Sequence, residues 1–542
     1  MADQGHHETH SHPERWGSRV GVILAVAGSA VGLGNFLRFP GQAAANGGGA
    51  FMIPYFCALL FLGIPVGWAE WTMARYGGRK GFHSAPGILG VIGKGAIARY
   101  LGITGVLVPL AVSFYYTFIE AWCLGYFWHY LTGGLGIDPT TPVAEQAATA
   151  SSFFNGFVGN NANGLLFGGS YETFVFWIIT FAINIWFVFR GLSKGIEAFC
   201  RWAMPLMAVA AIIVLIRVLT LGTPDPSNPD QNVINGLGYM WNPDFRALAN
   251  PQTWLAAAGQ IFFSISIGFG IIINYASYLR KKDDVVLSGL TSTATNEVFE
   301  VSFGGLITLT ASFVFLGVSG TAAAVATGTF GLGFNTLPVV FAHMGAFGNA
   351  IGAIWFFMLF LAAVTSSLSM YQPSLAFFQE SLGITRKDAT KILVAICGIG
   401  SFLTIWFTKD SIFWSTIDSW VGTFLIFIMA MIQIICFSWI FGIDRGLKEA
   451  HEGAEIRIPR FYRPIFKYVA PLYLIVVFIA FCYTNLGSWI DGVRQQPAAQ
   501  IALGLILAVT IFLVVCLRIG EKRWRAAGLD LDGRFEPADE ES

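Results

Sequence analysis

The sequence predicts an all-α polytopic membrane protein with about twelve transmembrane helices. Hydrophobic residues make up 55% of its 542 residues and charged residues 12%, which is about half the charged fraction of an average soluble domain. Apolar runs of about 20 residues, the length of a bilayer-spanning helix, recur along the whole chain. The formal net charge is zero, so the composition gives no indication of a nucleic-acid partner.

Twelve hydrophobic segments follow one another, and we number them in chain order. They occupy residues 17–40, 50–74, 100–131, 171–189, 196–221, 251–279, 285–317, 351–380, 389–408, 412–442, 465–486 and 498–519. The stretch 320–350 is predicted to be a folded external loop with short helices, because glycines and Pro338 interrupt it. Residues 1–15 are polar and rich in histidine, and we expect a disordered cytoplasmic tail there rather than a metal site.

The distribution of lysine and arginine predicts the orientation in the membrane. The loop 75–99 contains five of these residues, whereas the next loop, 132–170, contains none. Cytoplasmic loops are enriched in lysine and arginine. The alternation continues up to the basic cluster at 445–467, and it predicts that both termini are cytoplasmic.

Segment 1 has an unusual centre for a membrane helix. Residues 20–37 carry no charge, yet Gly28, Gly32, Gly34 and Asn35 in their middle weaken a helix. Lipid offers no hydrogen-bonding partners, so a helix that opens there frees backbone groups that protein, water or ions must satisfy. Freed carbonyls suit Na⁺, and the N-terminus of a second half-helix suits an anion. The alternative is a face of small residues for helix packing.

Segment 6 shows the same feature. Residues 247–279 carry no charge, and the stretch Gln260–Gly270 places serine and glycine at their centre. Two interrupted hydrophobic segments in corresponding halves of a chain point to the binding site of a transporter. The pair therefore favours discontinuous helices over a packing face.

Several motifs resemble those of the bacterial neurotransmitter:sodium symporters of the leucine-transporter type. They are Ala30–Pro40, Asn46–Phe51, Arg190–Glu197, Gln260–Gly270, Leu287–Thr291 and Thr365–Ser367. The resemblance extends from about Trp16 to the last hydrophobic segment, and the motifs are specific as a set.

The resemblance implies a 5+5 inverted-repeat fold in which segments 1 and 6 are broken. The first repeat would comprise residues 16–221 and the second residues 251–442, with an external loop at 222–250 between them. Segments 11 and 12, within residues 443–521, would be peripheral, and residues 522–542 would form a cytoplasmic tail. Such a protein would lie in the inner (plasma) membrane of a bacterium.

Two Na⁺ sites are implied by the same resemblance, and both use the oxygen ligands that a hard cation prefers. The first site maps to Ala30, Asn35, Ser264 and Asn296, and in the family the substrate carboxylate completes it. The second site maps to Gly28, Val31, Ala362, Thr365 and Ser366. Taken alone, the hydroxyls of Thr365 and Ser366 are better explained by bonds back to helix carbonyls four residues earlier, and the segment 1 motif reverses this preference.

The substrate pocket implied by the resemblance suits a free amino acid. Its residues are Ser29, Ala30, Gly34, Val112, Tyr116, Phe263, Ser264, Ser266, Phe269, Ser366 and Met370. Gly34 and Tyr116 would bind the carboxylate, and carbonyls of the two breaks would bind the ammonium. Family members that carry monoamines have Asp at the position of Gly32, so glycine favours a substrate that brings its own carboxylate.

Glu300 lies inside segment 7, where an ionised carboxylate needs a partner or a proton. Chloride-dependent members of the family have a small hydroxyl residue at this position, and chloride-independent bacterial members have Glu. The rest of the family's chloride site matches Tyr55, Gln260, Ser264 and Asn296. We therefore expect Glu300 to replace chloride, and we interpret Glu70 and Glu297 as structural.

The family closes the site with gates on both sides. Arg38 and Asp418 match the outer pair. On the inner side, Glu380 and Tyr278 match gate residues, whereas the basic partner does not match in an ungapped alignment. Arg15 is the nearest basic candidate for that place.

These observations predict Na⁺-coupled import of a neutral, hydrophobic amino acid by alternating access, without chloride or an organic cofactor. A membrane enzyme is disfavoured because the sequence has no metal-ligand spacing and no nucleophile motif. A receptor-like member of the same fold, which binds an amino acid without transporting it, stays an alternative. The sequence does not identify the amino acid, the ion stoichiometry or the oligomeric state.

Overall fold

The computed structural model describes residues 16–168, 171–326, 330 and 332–535. Regular secondary structure in these residues is helical, and the only strand-like pairing among them is an isolated bridge between Gly48 and Pro243. The predicted N-terminal tail, including its histidines and Arg15, lies outside the described residues. So do residues 536–542 of the predicted C-terminal tail.

Ten helices in the described part of the chain are long and apolar enough to cross a membrane. They are Gly49–Gly78 (segment 2), Ala96–Thr132 (segment 3), Tyr171–Phe189 (segment 4), Leu192–Leu219 (segment 5), Val285–Ala322 (segment 7), Gly345–Leu382 (segment 8), Arg386–Trp406 (segment 9), Lys409–Ala450 (segment 10), Tyr462–Gln495 (segment 11) and Pro497–Ala526 (segment 12). Each helix overlaps one predicted segment, and the all-helical membrane fold is confirmed.

Segments 1 and 6 are the two discontinuous ones. Segment 1 consists of Arg19–Ala30 and Gly34–Ala45, which meet at an angle of 44°. Segment 6 consists of Pro251–Ser264 and Ile271–Tyr275, and neither half is long enough to cross a bilayer alone. Both breaks fall at the glycine- and serine-rich stretches that predicted them. The count of twelve spanning helices stays a prediction.

The residues between the two halves of segment 6 adopt conformations that an α-helix does not accommodate. Ser266, Gly268 and Gly270 have φ angles of 56°, 75° and 79°. Glycine reaches this region without steric cost, whereas Ser266 loses about 1 kcal/mol or more. Gly270 also approaches segment 3 closely, because a Cβ atom there would lie 1.9 Å from the carbonyl oxygen of Gly105. The break is therefore built into the local sequence.

Several helices continue past the predicted ends of their segments, and two of them do so after a glycine with a positive φ angle. Segment 7 was predicted to end at residue 317, and its helix resumes after Gly317, where φ is 64°. Segment 10 was predicted to end at residue 442, and the charged helix Ile443–Ala450 follows Gly442, where φ is 96°. The apolar pattern marks the part of a helix suited to lipid, and it does not mark where the helix itself ends.

Shorter helices occupy the connections. They include Ala85–Ile92 between segments 2 and 3, Val143–Phe157 between segments 3 and 4, Val233–Trp241 between segments 5 and 6, and Leu337–Ala342 between segments 7 and 8. The last of these lies in the stretch predicted to be an external loop with short helices.

Segments 3 and 8 lie at the centre of the helix bundle. In their most apolar windows 78% and 89% of the residues are buried, whereas segments 11 and 12 have only 33% and 28% buried. The two C-terminal segments are therefore peripheral. Both segment breaks lie against the central helices, and this arrangement positions the site described next.

Candidate functional site

The break in segment 1 is shaped by its own side chains. Ser18 caps the first half-helix, because its Oγ accepts a 3.0 Å hydrogen bond from the N–H of Gly21. At Val31 the backbone becomes extended, with φ −72° and ψ 93°. Asn35 then closes a short loop by accepting the N–H of Gly32 on its Oδ1 at 2.9 Å. The carbonyls before the break are consequently freed from helical bonding.

The carbonyl oxygen of Ser29 joins the two breaks to segment 8. It accepts hydrogen bonds from Ser266 Oγ at 3.3 Å and from Ser366 Oγ at 3.2 Å. All three serines are buried. One freed carbonyl thus holds together segments 1, 6 and 8, and the serine-containing stretches that the sequence singled out meet at this point.

Glu70 fixes the break of segment 6 from segment 2. Its Oε1 accepts the backbone N–H of Gly268 at 2.8 Å, and its side chain is completely buried. An acceptor for this N–H is needed because the unwound backbone cannot supply one. The contact agrees with the structural role predicted for Glu70.

A cluster of buried amides connects segments 1, 6 and 7. Asn35 Nδ2 donates to Asn296 Oδ1 at 2.8 Å, and Asn296 Nδ2 donates to Ser264 Oγ at 2.7 Å. Glu300 Oε1 accepts from Gln260 Nε2 at 2.7 Å, and Glu300 Oε2 accepts from the amides of Asn35 and Asn296, each at 3.3 Å. The structure therefore brings together Asn35, Ser264 and Asn296, the side chains predicted for the first Na⁺ site.

Glu297 belongs to the same buried cluster, although the sequence assigned it only a structural role. Tyr55 donates its hydroxyl proton to Glu297 Oε2 at 2.7 Å, and Asn296 Nδ2 lies 3.4 Å from Glu297 Oε1. Two carboxyl groups thus share one polar pocket with Tyr55. Because like charges repel strongly away from water, simultaneous ionisation of both groups is disfavoured.

The residues predicted for the second Na⁺ site also lie close together. Thr365 Oγ1 and Ser366 Oγ donate to the carbonyl oxygen of Ala362 at 2.9 Å and 3.0 Å. A Cβ atom at Gly28 would lie 3.4 Å from Thr365 Cβ, so segments 1 and 8 are in direct contact there. The hydroxyls make the backbone bonds that the alternative interpretation expects.

A small, partly open cavity lies beside the break of segment 1. It is lined by Leu33, Gly34, Arg38, Tyr115, Tyr116, Phe263, Phe330, Trp414 and Asp418. Three predicted substrate residues, Gly34, Tyr116 and Phe263, are among them. The predicted residues Val112, Phe269 and Met370 are buried and do not line this cavity.

Two glycines keep the space at the break free of side chains. A Cβ atom at position 32 would lie 2.6 Å from Ser366 Oγ and 2.9 Å from Tyr116 Oη, and one at position 34 would lie 2.9 Å from the ring of Phe263. Tyr116 Oη accepts the N–H of Leu33 at 3.3 Å. A side chain at position 32 would therefore displace the hydroxyl groups that face the break.

Arg38 and Asp418 line the same cavity, yet neither forms an ion pair within 4.0 Å among the described residues. The Arg38 guanidinium lies 4.3 Å from the centre of the Phe263 ring, and Asp418 Oδ1 accepts from Tyr115 Oη at 2.6 Å. The two predicted outer-gate residues thus face each other with separate partners. Tyr115 was missed by sequence reasoning, and its only signal was its position beside Tyr116.

The opposite end of segment 1 is tied down by segments 5 and 6. Trp16 Nε1 donates to the carbonyl oxygen of Tyr275 at 2.9 Å, and the N–H of Gly17 donates to Glu197 Oε2 at 2.8 Å. The predicted inner-gate acid, Glu380, accepts the N–H of His83 at 2.9 Å. The sequence analysis assigned no role to Glu197 or His83. The feature that could have pointed to them is that each is a polar residue at the edge of an apolar segment.

Glu120 is a second acid that sequence reasoning left without a role. It is buried in segment 3, and its Oε2 accepts from Asn184 Nδ2 at 2.6 Å. Asn184 Oδ1 in turn accepts from Ser367 Oγ at 2.6 Å. This relay connects segments 3, 4 and 8 directly beside Ser366.

Paired discontinuous membrane helices, whose breaks meet at a buried polar cluster beside a cavity, define a secondary transporter. The chain belongs to the sodium:neurotransmitter symporter family, whose family model matches residues 13–526. Family and fold are those of transporters and not of enzymes, as the sequence predicted.

Individual relatives agree with this assignment. An uncharacterized sodium-dependent transporter of Methanocaldococcus jannaschii is 30% identical over 93% of this chain and 97% of its own length. The sodium-dependent nutrient amino acid transporter 1 of Drosophila persimilis is 25% identical over 86% of this chain and 75% of its own length. The crystal structure of MhsT in complex with L-phenylalanine superposes with a TM-score of 0.72 and 27% identity, covering 86% of this chain and 99% of that chain.

Proposed function

We propose that this protein couples the inward movement of Na⁺ to the import of a neutral, hydrophobic amino acid. Membership of the family establishes Na⁺-dependent symport, and the proposal adds the substrate class, the ion sites and the mechanism. One observation carries it. Gly34 and Phe263 line the cavity, and the next residues of the chain, Asn35 and Ser264, belong to the amide cluster.

Na⁺ would bind at two places, each built from oxygen atoms. The first is the cluster of Asn35, Ser264 and Asn296 with the carbonyl of Ala30, and the second is formed by Gly28, Val31, Ala362, Thr365 and Ser366. Amide, hydroxyl and carbonyl oxygens suit a hard monovalent cation. To bind the ion, Asn35 Oδ1 would turn from the N–H of Gly32 toward it, and Asn296 Oδ1 would turn from the amide of Asn35.

The substrate would occupy the cavity beside the segment 1 break. Its carboxylate would meet the backbone of Gly34 and the hydroxyl of Tyr116, next to the first Na⁺ site. Adjacent opposite charges in a site of low dielectric stabilise each other strongly, so ion and substrate would favour each other's binding. Glycine at position 32 leaves no acid for an amine that lacks a carboxylate.

A hydrophobic substrate side chain is supported by the cavity walls and by a relative. Phe263, Phe330 and Trp414 contribute aromatic surface to the cavity. The related MhsT structure contains L-phenylalanine. We therefore favour an aliphatic or aromatic amino acid of medium size.

Glu300 would take the place of the chloride ion that some members of the family require. It is completely buried and already accepts hydrogen bonds from Gln260, Asn35 and Asn296. A negative charge there would compensate a cation bound to the same amides. The proton on the return step would be taken by the pair of Glu300 and Glu297.

Transport would proceed by alternating access. Arg38 and Asp418 would approach each other when the cavity closes to the outside, and the contacts of Trp16, Tyr278 and Glu380 would separate when it opens to the cytoplasm. Both termini would lie in the cytoplasm, and the membrane potential would drive two Na⁺ ions inward with about 5 kcal/mol at 100 mV. A tenfold concentration gradient costs about 1.4 kcal/mol, so this energy could concentrate an amino acid at most several thousand-fold.

A thermal-shift screen of amino acids tests the substrate class. The purified protein should unfold at a higher temperature with its amino acid in Na⁺ than in K⁺, because ligands that bind only the folded state stabilise it. Counterflow of labelled amino acid in proteoliposomes separates a transporter from the receptor-like alternative. A receptor would show the thermal shift without counterflow.

A further inference from the structure

The loop Arg79–Ser84 packs directly against the end of segment 6 that we predict to be cytoplasmic. At Gly78, which precedes the loop, a Cβ atom would lie 1.8 Å from the carbonyl oxygen of Ser277. Only glycine permits an approach this close. The loop therefore packs closely against residues 276–278, and the side chain of His83 contacts these residues.

The imidazole of His83 contacts two consecutive residues of segment 6. It lies parallel to the ring of Tyr278, at a centroid distance of 4.4 Å and an interplanar angle of 2°. Its Nδ1 lies 3.0 Å from Ser277 Oγ. The hydroxyl proton of Ser277 is already donated to the carbonyl of Asn274 at 2.6 Å, so Nδ1 of His83 carries a proton and is the donor.

The peptide groups of His83 extend this contact to segment 8. Asn274 Nδ2 donates to the carbonyl oxygen of His83 at 2.7 Å, and the N–H of His83 donates to Glu380 Oε2 at 2.9 Å. One residue thus binds the end of segment 6 and the end of segment 8 at the same time. Glu380 and Tyr278 are the two inner-gate residues that the sequence predicted within the described part of the chain.

The electrostatics favour a neutral ring in this arrangement. Burial lowers the pKa of His83 to about 4, and the hydrogen bond to Ser277 opposes this shift only in part. A neutral imidazole stacks on a phenol ring without the cost of a buried charge. The neutral imidazole expected at neutral pH is therefore the form of His83 that suits the stack on Tyr278.

We propose that His83 is a component of the inner gate, which holds the ends of segments 6 and 8 together until the site opens to the cytoplasm. The inference rests on the proposed alternating access, and it adds a residue of the segment 2–3 loop to the gate. His83 acts by positioning Tyr278 and Glu380, and it does not touch the substrate cavity or the amide cluster. Its loss should shift the equilibrium toward the inward-open state.

Labelling of a buried position on the inner pathway tests this shift. Val22 is 1% exposed and lines a hollow with Trp16 and Tyr278. In a Val22→Cys background, His83→Ala should react with a maleimide about fivefold faster in K⁺, because the two lost contacts are worth about a factor of five in the equilibrium. Addition of Na⁺ alone should slow the reaction again. The parent chain without Val22→Cys supplies the blank for the native cysteines.

Two further variants control for general loosening. His83→Phe retains the ring stack but loses the Nδ1 donor, and it should give an intermediate rate even if His83→Ala does not fold. His343→Ala removes another histidine that has a polar contact and a ring stack, and this histidine is not part of segment 6. His343 contacts Gln146 at 2.8 Å and stacks on Phe315. This variant should be labelled at the same rate as Val22→Cys alone.

The outcomes distinguish this inference from the proposed function. Equal labelling of Val22→Cys alone, with His83→Ala and with His83→Phe would overturn the role of His83. Faster labelling that Na⁺ does not slow would also overturn it. If Na⁺ does not change the labelling of the Val22→Cys protein that retains His83, and Na⁺ also drives no uptake, the proposed function fails instead.

Discussion

The side-chain amide of Asn35 donates a 2.8 Å hydrogen bond to the side-chain oxygen of Asn296, and this contact joins the break of segment 1 to segment 7. Both residues are completely buried. A bound cation would replace this side-chain hydrogen bond, since each of the two amides has one oxygen that can act as a ligand. The same pair links the ion site to the cavity through the neighbouring residue Gly34.

Asn296→Ala should lower the apparent affinity for Na⁺ about tenfold or more, because one ligand oxygen is lost and the amide of Asn35 loses its nearest acceptor. The measurement is the unfolding temperature as a function of Na⁺ at constant ionic strength, with K⁺ as the replacement. Asn485→Ala is the matched control. Asn485 lies in segment 11 and donates to Phe481 O at 3.1 Å. Equal Na⁺ dependence in both variants would remove Asn296 from the ion site.

Glu300→Ser should convert a chloride-independent transporter into a chloride-dependent one. The substitution removes the buried negative charge and leaves space for an anion beside Gln260 and Asn296. Wild-type uptake should be the same in chloride and gluconate, whereas the variant should be active in chloride only. Glu297→Gln keeps the contact with Tyr55 and should stay independent of chloride. A Glu300→Ser variant that is fully active in gluconate would show that this carboxylate is not the compensating charge.

Arg38→Ala should open the cavity to the outside and slow turnover. The substitution removes the cation that lies over Phe263 and faces Asp418. A cysteine at Leu33, which lines the cavity, should then react several-fold faster with an impermeant thiol reagent, as expected for the loss of about 1 kcal/mol of contact. Arg246→Ala, in the segment 5–6 connection, is the control and should change nothing. If Arg38→Ala also changes neither labelling nor uptake, Arg38 is not a gate residue.

Glu197→Gln should destabilise the protein by about 1–3 kcal/mol, because Glu197 is a buried acceptor for Gly17 N–H at 2.8 Å and for Arg201 at 2.8 Å. Arg201→Ala is the contrast. Arg201 is 62% exposed, and exposed pairs of this spacing contribute about 0.5 kcal/mol or less. Thermal unfolding in detergent with K⁺ measures both effects. Equal losses would mean that the ion pair, and not the bond to the start of segment 1, carries the stability.

The sequence was sufficient to predict the positions of the helices and the two breaks. The apolar runs gave the segments, and Gly32, Gly268 and Gly270 marked where a helix could not continue. This worked because lipid forces every spanning segment to be apolar and helical, so that an interruption is costly and visible. The neighbours Asn35, Ser264 and Asn296 were predicted only through the resemblance to a family.

Contacts between distant parts of the chain could not be read in the same way. No pattern in the sequence joins His83 to Glu380, which lie 297 residues apart. It also paired Arg38 directly with Asp418, whereas the structure gives these residues Phe263 and Tyr115 as partners. Such choices depend on side-chain geometry within a few ångströms, and periodicity and composition carry no information at that scale.

The most direct test of the central claim is uptake of labelled L-leucine or L-phenylalanine into proteoliposomes of the purified protein. An inward Na⁺ gradient with an inside-negative potential should drive accumulation above the external concentration, and replacing Na⁺ by K⁺ or choline should abolish it. Equal uptake of the amino acid in all three cations would contradict Na⁺-coupled amino-acid import by this protein.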